Sequence, residues 1–216
     1  MVHVYLQGHE WFFGADASIE AFAALIAFFV AFASLRVYNI TKERKYAFFT
    51  ASMILLTLSF LSRAIADILL EELIWKVPST QAGLIFLSGY VSHILLALIA
   101  YALLVIITHK ISDKRVIALL FIIMIPSMLL SGSYFVSFYG LSFILLSFVT
   151  FAYLENCRKV RKTAASCVFI AFLLLTIVQL FFLLEPFYSA LYVAAHVAQA
   201  AGYFVLLFAL IRTLYR

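Results

Sequence analysis

Apolar residues run almost unbroken through seven stretches of the chain, roughly 18–38, 46–72, 82–108, 116–131, 133–154, 165–184 and 187–213. Runs near 20 residues match the length of α-helix that crosses a bilayer core of about 30 Å. The links between them are short, which predicts antiparallel neighbours. The pattern predicts an all-α integral membrane protein: one seven-helix bundle forming a single domain over residues 1–216. Only Ser131-Gly-Ser133 separates the fourth and fifth runs, and Pro126 is expected to kink the fourth. Pro186 stands where a seventh helix can begin, because its missing N–H would be unpaired there anyway.

Polar positions inside these runs are few and regularly placed. Ser189, Tyr192, His196, Gln199 and Tyr203 follow one another at steps of three and four, so they share one face of the last helix. Lipid offers such a stripe no partner, so its partners must lie inside the protein. His93 in the third run and His196 in the seventh both fall about ten residues inside their helices, at similar depth. Arg63 and Asp67 are four apart on the second run and can pair with each other, or one can be shared with Glu20, His93 or a ligand. Tyr90 and Gln179 fall in the same half of the bundle. The candidate ligand-binding set is therefore Arg63, Asp67, Tyr90, His93, Gln179, Tyr192, His196, Gln199 and Tyr203.

Composition agrees with the pattern. The 216 residues are 67% hydrophobic and 12% charged, against about 45–50% and about 25% for soluble domains. A chain this short has no room for seven spans and a second domain, so neither an enzymatic head nor a long tail is expected. The net charge of +5 would suggest nucleic acid in a soluble protein, but its distribution decides otherwise. Thirteen of the 15 basic residues flank the first, third and fifth links or the C-terminus: Arg36, Lys42, Arg44, Lys45, Lys110, Lys114, Arg115, Arg158, Lys159, Arg161, Lys162, Arg212 and Arg216. The positive-inside rule then predicts the N-terminus outside and the C-terminus inside, in the plasma membrane of a prokaryote. The basic loops fix topology, touch anionic headgroups, and offer a place for a cytoplasmic protein partner. Trp11 and Trp75 fall at the expected outer interface, and Glu71 and Glu72 at its solvated rim. Acidic Glu10 and Asp16 precede the first run, the wrong flank for a cleaved signal peptide. Cys157 and Cys167 form no metal spacing and read as ordinary small apolar residues.

The histidine pair admits several chemistries. His93 and His196 are candidate axial ligands of a b-type haem, with Gly89 and Gly202 making room. They are also candidate metal ligands, Asp67 being the best third donor, or binders of a polar ligand or proton. No enzyme signature appears: H-E-x-x-H, G-x-S-x-G and a glycine-rich phosphate loop are all missing from the chain.

A faint repeat relates Thr41–Thr50 to Cys157–Ser166, and the third run to the seventh at shifts of 102 or 103 residues. It suggests duplicated three-helix halves joined by the fourth helix. That arrangement resembles, in topology only, the three-plus-one-plus-three plan of microbial rhodopsins and SWEET-type sugar transporters. The seventh run holds no lysine for a retinal Schiff base, and no Pro-Gln pair occurs. The expected function is a receptor-like, sensory module for a small polar ligand. The alternatives are a small-solute or proton-coupled transporter and a haem-binding electron-transfer protein.

Overall fold

The computed structural model describes residues 15–73, 79–129, 133–160 and 163–214. Trp11, Trp75, Lys76, Arg161, Lys162 and Arg216 lie outside the described residues, as do the side chains of Glu71 and Glu72. Among those residues the chain forms seven helices: α1 (Ala15–Thr41), α2 (Arg44–Leu73), α3 (Ser79–Thr108), α4 (Lys114–Leu129), α5 (Tyr134–Val160), α6 (Thr163–Leu184) and α7 (Ala190–Leu214). Six are long and apolar enough to cross a membrane. The exception is α4, whose 16 residues reach only about 24 Å at 1.5 Å per residue, short of a bilayer core. Pro126 lies inside this helix.

The helices close into a ring. α1 packs on α2, α2 on α3, α3 on α5, α5 on α6, α6 on α7, and α7 back on α1. α4 stands outside this ring against α5. Consecutive helices are antiparallel, whereas the two closing seams are parallel. At the α1–α7 seam Tyr192 bonds Asp16 and Gln199 bonds Glu20, each near the start of its helix. At the α3–α5 seam His93 packs on Phe138, and farther along His109 bonds the Phe148 carbonyl.

Close approach depends on small residues. A Cβ added to Gly89 would overlap the Ala66 side chain, and one added to Gly202 would press on Leu175 at 3.1 Å. Both glycines therefore serve helix contacts, α2–α3 and α6–α7. The room expected there for a cofactor is filled by neighbouring helices.

The outer surface is apolar, with Phe22, Phe29, Leu58, Leu95, Ile144 and Phe204 among its exposed side chains. Intrahelical hydroxyl bonds keep polar atoms satisfied along the ring: Thr50 to the Tyr46 carbonyl, Thr57 to Met53, Thr108 to Leu104 and Ser147 to Phe143. Arg36, Lys42, Arg44, Lys45, Lys110, Lys114, Arg115, Arg158 and Lys159 are exposed and gather at one end, here called the basic end. Two of them cap helices in the left-handed region, Lys42 at φ 55° and Lys110 at φ 53°. The Ile111 amide bonds the Ile106 carbonyl and the Lys110 amide that of Ile107, closing α3 in a Schellman motif.

One expected helix start is corrected. α7 begins at Ala190, and Pro186 belongs to the turn before it. The Tyr188 amide bonds the Glu185 carbonyl, so Pro186 takes the second position of a β-turn, where its fixed φ is favourable. Ser189 is consequently exposed and ahead of the buried stripe.

Candidate functional site

In the half of the bundle away from the basic end, the core turns polar. Starting α1 at Ala15 places Glu20 more than a turn inside the helix, where its side chain has no solvent exposure. Arg63 reaches it from α2, with Nη1 3.2 Å from Glu20 Oε1. The same guanidinium lies 3.8 Å through Nε from Asp67 Oδ2, one turn farther along α2. Arg63 therefore stands between two carboxylates, one on α1 and one on its own helix.

Neighbouring elements complete the cluster. From α7, Gln199 Nε2 donates to Glu20 Oε2 at 3.3 Å, and His196 Nδ1 lies 3.7 Å from Glu20 Oε1. Tyr90 of α3 donates to Asp67 Oδ1 at 2.6 Å, and Tyr192 to Asp16 Oδ2 at 2.9 Å. Arg63 Nη1 also donates to the Tyr139 hydroxyl at 3.5 Å and sits over the rings of Tyr90 and Phe182. These contacts offset the cost of holding a guanidinium away from water.

A narrow cavity opens beside the ion pair, with space for about one water. All six ring helices contribute to its wall: Glu20 from α1, Arg63 from α2, His93 from α3, Tyr139 from α5, Gln179 from α6 and Gln199 from α7. Tyr101 and Tyr203 line it as well. Gln179 Oε1 and the Tyr203 hydroxyl accept no hydrogen bond there, although both side chains are buried.

The structure brings the nine sequence-named residues into one region in different roles. Arg63, His93, Gln179, Gln199 and Tyr203 line the cavity. Asp67 and Tyr90 form a pair beside it, Tyr192 turns to Asp16, and His196 packs between Tyr192 and Phe182 next to Glu20. Sequence reasoning left Glu20, Tyr139 and Phe182 out of the set. A boundary at residue 18 put Glu20 at the membrane surface, and only its pairing chemistry with Arg63 pointed inward. Nothing in the sequence distinguished Tyr139 or Phe182 from the many other aromatics.

The cofactor readings change. His93 Nδ1 is 2.9 Å from Ser59 Oγ, and its ring packs against Phe60 and Phe138. His196 is enclosed by Phe182 and Tyr192 at 5.1 and 4.7 Å between ring centres. The cavity that His93 lines has space for about one water, and His196 is not among its lining residues. Among the described residues no three His, Cys, Asp or Glu side chains come together to hold a metal ion. Asp67, His93 and His196 are therefore not a three-ligand set.

At the basic end the core is uncharged among the described residues and mostly apolar: Val30, Met53, Leu104, Leu146, Val149, Leu206 and Ala209 are buried, with the hydroxyls of Ser34, Thr50 and Ser52 among them. A Thr150–Thr176 hydroxyl contact of 2.8 Å joins α5 to α6 in this region. Cys157 and Cys167 are free thiols, and Cys157 lies 3.3 Å from Ser166.

Six apolar helices with a lipid-ready surface and a charged interior define a helical membrane protein, in contact with the lipid bilayer. Comparison of the chain with protein-family models, curated proteins and solved structures finds no match.

Proposed function

We propose that the protein is a receptor-like membrane module that takes up a small polar ligand from outside the cell and responds by repacking its six-helix ring. The observation that carries this reading is the convergence of all six ring helices on one buried Glu20–Arg63 cavity. A ligand that exchanges for one of those contacts changes the helix seams together, which is how differential binding shifts a two-state bundle. The basic end faces the cytoplasm, with exposed Lys and Arg as the positive-inside rule requires. Phe187 and Tyr188 in the α6–α7 turn are exposed at the other end, at the level of an outer aromatic belt. In this reading α4, although shorter than a bilayer core is thick, is the seventh and peripheral crossing, and the whole chain forms one domain. The basic loops are the surface for a cytoplasmic partner.

Thermal unfolding of the detergent-purified protein with a panel of small polar solutes tests this reading. One solute class should raise the midpoint in a saturable way, because a ligand of the folded state adds RT ln(1 + [L]/Kd). Gln199→Leu should weaken that response while the variant remains folded. No stabilisation by any solute at high concentration would contradict the reading.

A transporter is the second reading, favoured by the order of contacts: α1–α2–α3 and α5–α6–α7 meet through two equivalent parallel seams, as duplicated halves would. The apolar core at the basic end disfavours it, since a solute would need a polar path there. Solute flux into liposomes supports the transporter, and saturable binding without flux supports the receptor.

A further inference from the structure

Three charged side chains stand together here: Glu20 and Arg63 line the cavity, and Asp67 lies beside it next to Arg63. If both carboxylates are ionised, one guanidinium faces two negative charges, and Asp16 adds a third near Glu20, so among the described residues the set carries an excess of negative charge. An uncompensated charge in a membrane interior is strongly disfavoured. The set therefore favours the uptake of positive charge. We infer that it recruits a proton, and that the Glu20 carboxylate is a reversible proton-binding site serving the far end of the bundle.

Geometry selects Glu20 over Asp67. Asp67 accepts the short bond from Tyr90, and its side chain keeps 13% exposure. Glu20 has none, and its Oε2 accepts a longer bond, from Gln199 at 3.3 Å; the second oxygen of each carboxylate faces Arg63 alike, so burial and the weaker bond make the distinction. Gln179 Oε1 is a second observation pointing the same way. It is an acceptor on a nine-tenths buried side chain, directed into the same cavity without a donor. The open Gln179 acceptor suits a donor, and the space fits about one water. An alkali ion is a poorer fit, because it needs several oxygen ligands and its own volume beside the Arg63 cation, whereas a proton on the carboxylate adds no heavy atom.

The exchange involves one bond. A hydronium from water at the far end gives its proton to Glu20 Oε1, a neutral carboxylic acid forms, and water leaves. Arg63 then keeps Asp67 as its anionic partner, so protonation removes the α1–α2 ion pair and leaves the one within α2. The other groups near Glu20 are Asp16 on α1, His93 and Tyr101 on α3, Tyr139 on α5, and His196 and Tyr203 on α7, while Tyr192 on α7 and Glu185 in the α6–α7 turn act on Arg63. This site does not depend on the identity of any ligand.

Infrared difference spectroscopy of the full chain in nanodiscs, titrated with acid, tests the inference. The wild type should show the carbonyl stretch of one buried protonated carboxyl appearing reversibly on acidification. Glu20→Gln should abolish it and Asp67→Asn should retain it. Persistence of the band in Glu20→Gln, or its loss only in Asp67→Asn, overturns the proposal. So does suppression of the band by sodium or potassium at fixed pH and ionic strength, which would assign the site to a cation. If Glu20→Gln does not fold, Gln199→Leu supplies the test. Removing the bond to Oε2 should move the titration midpoint by about one pH unit, and an unmoved midpoint overturns the proposal.

Discussion

The two ends of this bundle are built from the same helices by opposite means. At the basic end, buried Val, Leu, Met and Ala fill the space between helices, and the Thr150–Thr176 pair is a local polar contact. At the far end, Glu20, Arg63, Asp67, Tyr90, Tyr139 and Gln199 join α1, α2, α3, α5 and α7 through charge and hydrogen bonds. Apolar packing inside a membrane gains little specificity, because lipid tails are as apolar as Leu. A buried ion pair has few alternative arrangements, so it fixes which helices meet, and it can be rearranged by a charged or polar visitor. One end therefore packs by shape and the other by specific pairing.

Breaking the pair should have the largest effect. Arg63→Ala strands two carboxylates and is expected to lower stability by about 3–5 kcal/mol, read as a fall in the thermal midpoint in detergent. Next comes the close seam between α2 and α3. Gly89→Ala should cost about 1–3 kcal/mol from overlap with Ala66. Gly140→Ala, with nothing within 4 Å of the new Cβ, should be neutral or gain up to about 1 kcal/mol from helix propensity. Gln199→Leu removes a hydrogen bond to a charged group and should cost about 1.5–3 kcal/mol in the same assay. The smallest effect belongs to the basic end. Replacing both Thr150 and Thr176 by Val removes both partners together and should change stability by less than about 1 kcal/mol. If that double variant proved as damaging as Arg63→Ala, the contrast between the two ends would fail.

The helices were legible because lipid imposes one rule on every span: a long apolar run satisfying its own backbone. Hence the expected runs and α1–α7 agree to within three residues, except that α5 runs six residues farther, to Val160. The departures share a cause, since side-chain chemistry at helix ends competes with hydropathy. Pro186 reads equally well as a helix start or a turn position, and the bond from Tyr188 to Glu185 selects the turn. Glu20 was visible as a charge but was placed at the surface, because apolar content alone starts the first run at residue 18 and omits the turn that begins at Ala15. The α7 face, by contrast, could be read directly: Tyr192, His196, Gln199 and Tyr203 are all buried at helical spacing. What no spacing could supply was which stripe meets which. The ring order, with α4 outside and α7 against α1, makes Glu20 the partner of Gln199 and Arg63.

A double-mutant cycle on Glu20→Gln and Arg63→Met tests that central pairing most directly, using unfolding free energies measured in one detergent. The two losses should be strongly non-additive, with a coupling of about 1–3 kcal/mol and the double variant more stable than Glu20→Gln and Arg63→Met predict together. Simple additivity of the two losses would contradict the account.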